Sequence, residues 1–269
     1  MDLGGQAARR RRGGRLELTG EGALAVVSPT TITAARWGVV AVLAVIAAVQ
    51  LRRHPIPPVE LLRRVPRCIA GLCCYGIGIA VFFAARAGNP PWDVFHGGLS
   101  ARTGVPVGLV INLVGIALLV LWIPLKERVG LGTVLNALVI GEVVDLVRPQ
   151  LGNAHSVALQ VTMVFVATLV IGLGSGLYIG AGIGAGPRDG LMLGLSRMGL
   201  SIRTSRWLIE AVTLCVGWLL GGRIGFGTVA FPVLIGPVVQ YLLPRMSLPA
   251  LADQVRRSHR GLIGEHYRS

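Results

Sequence analysis

The chain contains one stretch twice. From Gly88 to Pro149 it reads GNPPWDVFHGGLSARTG, an apolar run, then KERVGLGTVLNALVIGEVVDLVRP. From Gly184 to Pro244 it reads GAGPRDGLMLGLSRMG, an apolar run, then GGRIGFGTVAFPVLIGPVVQYLLP. At an offset of 96 residues, Gly76 matches Gly172, Gly78 Gly174, Gly88 Gly184, Asp93 Asp189, Ser100 Ser196 and Trp122 Trp218. After a one-residue gap, at an offset of 95, Arg128 matches Arg223, Gly132 Gly227, Thr133 Thr228, Gly141 Gly236 and Pro149 Pro244. Chance seldom preserves such an order, so the chain carries an internal duplication.

What is duplicated is a set of membrane helices. Of the 269 residues, 53% are hydrophobic and 14% charged, against roughly 25% charged in a soluble domain. In the first copy, Cys68–Ala87 is apolar with a face of small residues (Gly71, Gly76, Gly78, Ala80, Ala84), which lets membrane helices approach closely. Gly88 to Pro91 is a break. Trp92–Thr103 follows, too short to span, since a crossing needs about 20 residues. Val105–Pro124 is a second crossing, Lys126-Glu127-Arg128 a charged loop and Val129–Val147 a third crossing. The second copy repeats this plan: Val157–Ala181 spans, Gly182–Arg188 breaks, Asp189–Met198 is short, and Ser205–Leu220 and Ile224–Leu243 span.

Three crossings per copy is an odd number, so the second copy must be inverted relative to the first. Charge agrees. With the start of the first crossing inside, Arg63, Arg64, Arg67, Lys126, Arg128, Arg188, Arg197, Arg203, Arg206 and the C-terminal arginines are inside. Only Arg86, Arg102, Arg148 and Arg223 remain outside, the bias expected of cytoplasmic loops. The predicted fold is therefore an all-α polytopic membrane protein of two inverted three-crossing repeats, each with a short non-spanning helix. The divisions are residues 1–57, a basic extension; 58–149 and 150–247, the two repeats; and 248–269, a basic tail.

The extension holds the basic run Arg9–Arg12 and then Trp37–Leu51, an apolar helix shorter than an ordinary crossing. It is either a seventh crossing, in which case Arg36 must snorkel, or a helix lying on the surface. The net charge of +14 sits mostly in tails and loops, where it suits anionic lipid headgroups, and no soluble domain offers a surface for nucleic acid. Cys68, Cys73, Cys74 and Cys215 lie in apolar segments and read as small buried hydrophobes.

Acids at membrane depth are costly and mark interiors or water-filled paths. Asp93 and Asp189 are a matched pair, each following a Gly/Pro break at the start of a short helix. They are either N-terminal caps that offset the helix dipole, or the lining of a polar cavity between the repeats. His96 shares a helical face with Asp93, Arg188 precedes Asp189, and Trp92 is an interfacial anchor or a cavity wall. Glu210, four residues after Arg206, is a surface ion pair or a carboxylate handling ions or protons. Asn112 and Asn136 are interhelical hydrogen-bonding groups or ligands. Glu142, Asp145 and Arg148 read as a salt-bridged helix end. Gly130-Leu-Gly-Thr133 and Gly225-Phe-Gly-Thr228 open the third crossings, as tight packing corners or anion-receiving helix starts. The candidate binding set is Asp93, Asp189, Glu210, His96, Asn112 and Arg188. No enzyme signature appears, and neither a metal nor a cofactor is expected.

Pro91-Trp92-Asp93-Val94, Trp122-Ile-Pro124, Gly130-Leu-Gly-Thr-Val-Leu-Asn136, Gly176-Leu-Tyr-Ile-Gly180, Gly186-Pro-Arg-Asp-Gly-Leu191 and Gly217-Trp-Leu-Leu-Gly221 together resemble the YczE/YyaS/YitT group of bacterial integral membrane proteins, most of all its YczE branch. The resemblance implies a multi-pass plasma-membrane protein with a cytoplasmic C-terminus. It brings no substrate and no catalytic residues. The first 57 residues depart from the group's pattern, so Met1 is expected to be an upstream start, with initiation at Val59 or Val65; native peptides derived from Met1 would rule that out. Two functions follow: a small-solute or ion transporter, or a non-transporting accessory protein that supports another membrane or secretory component.

Overall fold

In a computed structural model, residues 28–53, 57–125 and 129–248 are described. They form the helices α1 (Pro29–Arg53), α2 (Pro58–Ala85), α3 (Pro91–Thr103), α4 (Val107–Leu125), α5 (Leu131–Val147), α6 (Val157–Gly180), α7 (Pro187–Arg197), α8 (Ile202–Leu219) and α9 (Phe226–Met246), with a 3-10 turn at Arg148–Gln150. Among the described residues there is no strand. The basic runs at Arg9–Arg12 and Arg256–Arg260 and the Lys126-Glu127-Arg128 loop lie outside the described residues.

Five helices are long and apolar enough to cross a membrane by length and composition: α1, α2, α4, α6 and α9. The six core crossings expected from the sequence also included α5 and α8. α5 runs 17 residues and carries Glu142 and Asp145. α8 runs 18 and carries Arg203, Arg206 and Glu210, so neither stands out by length and apolarity alone.

Local chemistry explains the boundaries. Pro91 and Pro187 sit at the first helical position of α3 and α7, where a missing N–H costs nothing. α2 stops at Arg86, whose φ of 56° is left-handed, followed by Gly88 at φ 93°. Ser156 and Ser201 accept the N–H groups of Leu159 and Thr204, capping α6 and α8. The Thr133 and Thr228 hydroxyls accept the N–H groups of Gly130 and Gly225, each at 3.1 Å, where α5 and α9 begin.

The two halves meet through equivalent contacts. α2 packs on α6, its counterpart, along the core. A Cβ at Gly71 would lie 2.7 Å from the Gly174 carbonyl oxygen, and one at Gly174 2.6 Å from that of Gly71, so only glycine permits this approach. Gly76 faces Ile140 and Val143 of α5, while its match Gly172 faces the matching Ile235 and Val238 of α9. The short helices exchange: α3 packs on α8, and α7 on α4. The breaks exchange too. Gly227 donates its N–H to Ala87, and Gly132 to Ile183, both at 2.8 Å. These donors and acceptors are themselves equivalent positions. The GxGT helix starts are thereby filled by the opposite break, so of the two readings of that motif tight packing holds and an open anion site does not.

One contact is not duplicated. α4 packs along α5, but α8 and α9 have no comparable contact. Trp122 of α4 is 2% exposed and its indole N–H donates to the Pro187 carbonyl at 2.9 Å, whereas the matching Trp218 is 62% exposed.

The N-terminal apolar helix is longer than Trp37–Leu51. It covers Pro29–Arg53, 25 residues, and packs on α5 and α4. Arg36 does not snorkel; its guanidinium bridges Glu142 and Asp145. The carboxylate of Asp145 also accepts the N–H groups of Gly108 and Leu109, at 2.7 and 3.1 Å, at the start of α4. Arg148 is therefore not the partner of these acids. Substituting Arg36 by alanine leaves two half-buried carboxylates without a cation and is expected to cost about 1–3 kcal/mol, less than for a fully buried pair because neither carboxylate is fully enclosed by protein. Thermal unfolding in detergent measures it, and Glu142→Gln in the same background is expected to restore part of the loss.

Candidate functional site

The two Gly/Pro breaks bring the starts of α3 and α7 to one cleft of about 250 Å³ between the halves. It is lined by Trp92 and Asp93 at the start of α3, by Arg188 and Asp189 at the start of α7, and by Arg206 and Glu210 of α8. Tyr75 of α2, Tyr178 of α6 and Asn136 of α5 complete the polar wall, and Phe231, Ile235 and Val239 of α9 form an apolar one. The cleft runs between α8 and α9, the pair that does not close.

Each aspartate lies in the first turn of its helix, where the dipole favours a negative charge. The Asp189 carboxylate accepts the backbone N–H of Gly186 at the start of α7, so there the capping reading holds, and both aspartates line the cleft as well. Asp93 is 2% exposed; its Oδ1 lies 3.2 Å from His96 Nδ1 and 3.9 Å from a guanidinium nitrogen of Arg188. Arg188 thus reaches from the second half to the acid of the first, and stacks over the Trp92 ring at 5.0 Å. Asp189 accepts the hydroxyl of Tyr178 at 3.1 Å. Burial pushes the Asp189 carboxyl up from its ordinary range, more than Tyr178 and Arg188 pull it down. Burial pushes His96 down, against the opposing pull of its bond to Asp93. A neutral His96 donates from Nδ1 to the carboxylate, and its buried Nε2 has no hydrogen-bond partner. Glu210 accepts from Arg206 Nε at 2.9 Å, so the surface-pair reading is right about its partner while the side chain also faces the cleft.

Of the six candidates, Asp93, Asp189, Glu210 and Arg188 line the cleft. His96 stands behind Asp93 and does not line it. Asn112 does not reach it at all. It sits in the α4–α5 contact and donates to Glu142 at 3.1 Å, because that contact is the closed counterpart of the α8–α9 gap. Asn136, weighed in the sequence as a hydrogen-bonding group or a ligand, lines the cleft, while Tyr75 and Tyr178 are lining residues that sequence reasoning missed. Tyr178 had a legible signal, a phenol inside a stripe of glycines where a buried hydroxyl needs a partner.

Residues 62–244 match the family of unknown function DUF6198. The chain belongs to that family. The matched span takes in both breaks and both short helices and leaves out α1. An uncharacterized protein of Haemophilus influenzae is 37% identical over 173 residues, 64% of this chain and 79% of that protein. The uncharacterized membrane protein YczE of Bacillus subtilis is 33% identical over 190 residues, 69% of this chain and 88% of YczE. The uncharacterized protein YyaS of the same organism is 28% identical over 182 residues, 65% of this chain and 89% of YyaS. The chain is thus a DUF6198 member within the YczE/YyaS family, an integral multi-pass membrane protein. No solved structure matches it.

Proposed function

We propose that this protein is a transporter of a small polar solute or ion, not an enzyme, built as two inverted repeats in the bacterial plasma membrane with its C-terminus in the cytoplasm. The observation that carries the reading is the cleft between the halves, to which both matched aspartates, Arg188 and Glu210 contribute. Broken segments meeting at a repeat interface are a transporter design. The exchanged contacts of α3 with α8 and α7 with α4 support a two-fold relation between the halves, and the arginine bias supports its inversion. In this reading α5 and α8 cross as well, with Glu142 and Asp145 paired to Arg36, and Arg206 and Glu210 facing the cleft.

Within the cleft, Arg188 faces an anionic group of the solute and Asp93 a cationic one. Asp189, buried beside Tyr178 and Arg188 with its proton affinity raised by that burial, exchanges the coupling proton. Inward proton gradients are then expected to drive uptake into proteoliposomes, and Asp189→Asn to make the remaining flux insensitive to the gradient. Solid-supported membrane electrophysiology with a panel of small amino acids, amines and organic acids tests this. Sealed vesicles that carry the folded protein and give no solute-dependent current would sink it.

One observation favours the accessory reading. α8 and α9 leave Trp207, Trp218, Val229 and Val233 mostly exposed beside the gap. Co-purification of one membrane partner in fixed proportion, with no flux, is the result that reading predicts.

A further inference from the structure

The charge bias read from the sequence leaves four arginines on the side opposite the basic loops. Three of them are gathered. Arg86 ends α2, Arg148 opens the turn after α5, and Arg223 lies between α8 and α9, and all three line a second cavity of about 260 Å³ together with Asn89 and Asn153. Among the described residues no carboxylate lines it. The backbone holds the three in place: Asn89 donates its N–H to the Arg223 carbonyl at 3.2 Å, and Ala154 donates to Ala84 at 3.0 Å, tying the segment after α5 to the end of α2. Arg148 is steadied by donating to Asn153 Oδ1 at 2.6 Å and to the Leu151 carbonyl. Arg86 is the one non-glycine among the described residues with a positive φ, a conformation such a residue seldom adopts. Burial, with Arg86 and Arg223 close by, lowers Arg148 from its ordinary range, a sign of cations crowded without a counter-charge.

Duplication does not account for the cluster. Gly182 and Leu243 stand where the second copy would need the equivalents of Arg86 and Arg148. Three like charges around one hollow repel each other, and an anion in the hollow reverses the sign of that energy. Planar guanidinium forks match tetrahedral phosphate oxygens two at a time, and the two asparagine amides add neutral donors.

We propose that Arg86, Arg148 and Arg223 form a binding site for a phosphate group, carried by an anionic lipid headgroup or by a soluble phosphate. The site stands apart from the cleft, and its test reads binding, so it survives or fails independently of transport. The full chain is purified in detergent and titrated with inorganic phosphate against chloride at equal ionic strength. It is also placed in nanodiscs of phosphatidylcholine with and without phosphatidylglycerol, and retained lipid is read by native mass spectrometry. Wild type is expected to bind at least one probe, with Arg86→Gln/Arg223→Gln weakening it by roughly tenfold or more, as two charge-assisted contacts are lost. Arg102→Gln, on the same side but outside the cavity, is expected to bind as wild type does. Both glutamine positions are exposed, so folding is expected to persist; Arg148→Lys, which keeps the charge and loses the fork, gives an independent intermediate weakening. Binding of phosphatidylglycerol alone assigns the phosphate to lipid, binding of inorganic phosphate alone assigns it to a soluble source, and binding of both shows a site that takes the phosphate group from either carrier. Binding of neither probe by wild type, or equal binding by wild type and the double variant, overturns the site.

Discussion

Proteoliposomes bearing Asp93→Asn together with Asp189→Asn are expected to lose solute flux by at least roughly tenfold, the factor that about 1.4 kcal/mol of lost stabilisation produces. The two residues are the only acids that the duplication places at matched positions, and both face the cleft. Asparagine keeps the size and an acceptor oxygen at each helix start, but it can neither carry charge nor take up a proton. The loss of favourable dipole interaction is about 0.3–1 kcal/mol at each site. That is small against the stability of a bundle this size, so expression and thermal unfolding should change little while flux collapses. Arg188 is then left without its acid at 3.9 Å, and anionic solutes should suffer least. Flux that persists at the wild-type rate in the double variant would remove both aspartates from the mechanism.

The second expected result concerns stability and separates the two halves. Gly141→Ala should destabilise the protein by about 1–3 kcal/mol, the cost of overpacking a close contact. Gly236→Ala, at the matching position, should be neutral or stabilise by up to about 1 kcal/mol, because alanine is the better helix former. A methyl group at Gly141 would meet the Asn112 side chain and the Gly108 carbonyl across the α4–α5 contact, whereas at Gly236 nothing lies within 4 Å. Opposite shifts in unfolding temperature for the same chemical change would establish that one half is closed and the other open. Equal losses at both sites would mean that α8 and α9 close upon each other in solution, and the cleft with them.

Much of this was legible beforehand, and for identifiable reasons. Proline and glycine punctuate a chain locally, so Gly88–Pro91 and Gly184–Pro187 announced the breaks without any tertiary knowledge. The glycine stripe of α2 announced a close helix partner, though not that the partner is its own counterpart in the second half. The α1 helix was read as too short because its polar first turns and Arg36 were counted as outside; Glu142 and Asp145, far along the chain, are what make Arg36 acceptable there. Asn112 and Asn136 looked alike in sequence. They differ because Asn112 belongs to the closed α4–α5 contact and Asn136 to the wall of the cleft.

Sequence alone determined the duplication, the membrane character, the positions of the two breaks and the pairing of Asp93 with Asp189. All of these rest on local composition and on order along the chain, which need no partner to be read. Tertiary structure alone decided which of two matched positions is buried. Trp122 and Trp218 stand at matched positions, yet one is buried and bonded to the start of α7 and the other is exposed. A repeat fixes what each segment can offer. Whether a face closes depends on what stands opposite: Gly108 and Asn112 meet Gly141 in one half, whereas in the other nothing lies within 4 Å of Gly236, and Thr204 and Leu208, at the positions of Gly108 and Asn112, are exposed. The open cleft exists because that second pairing never formed.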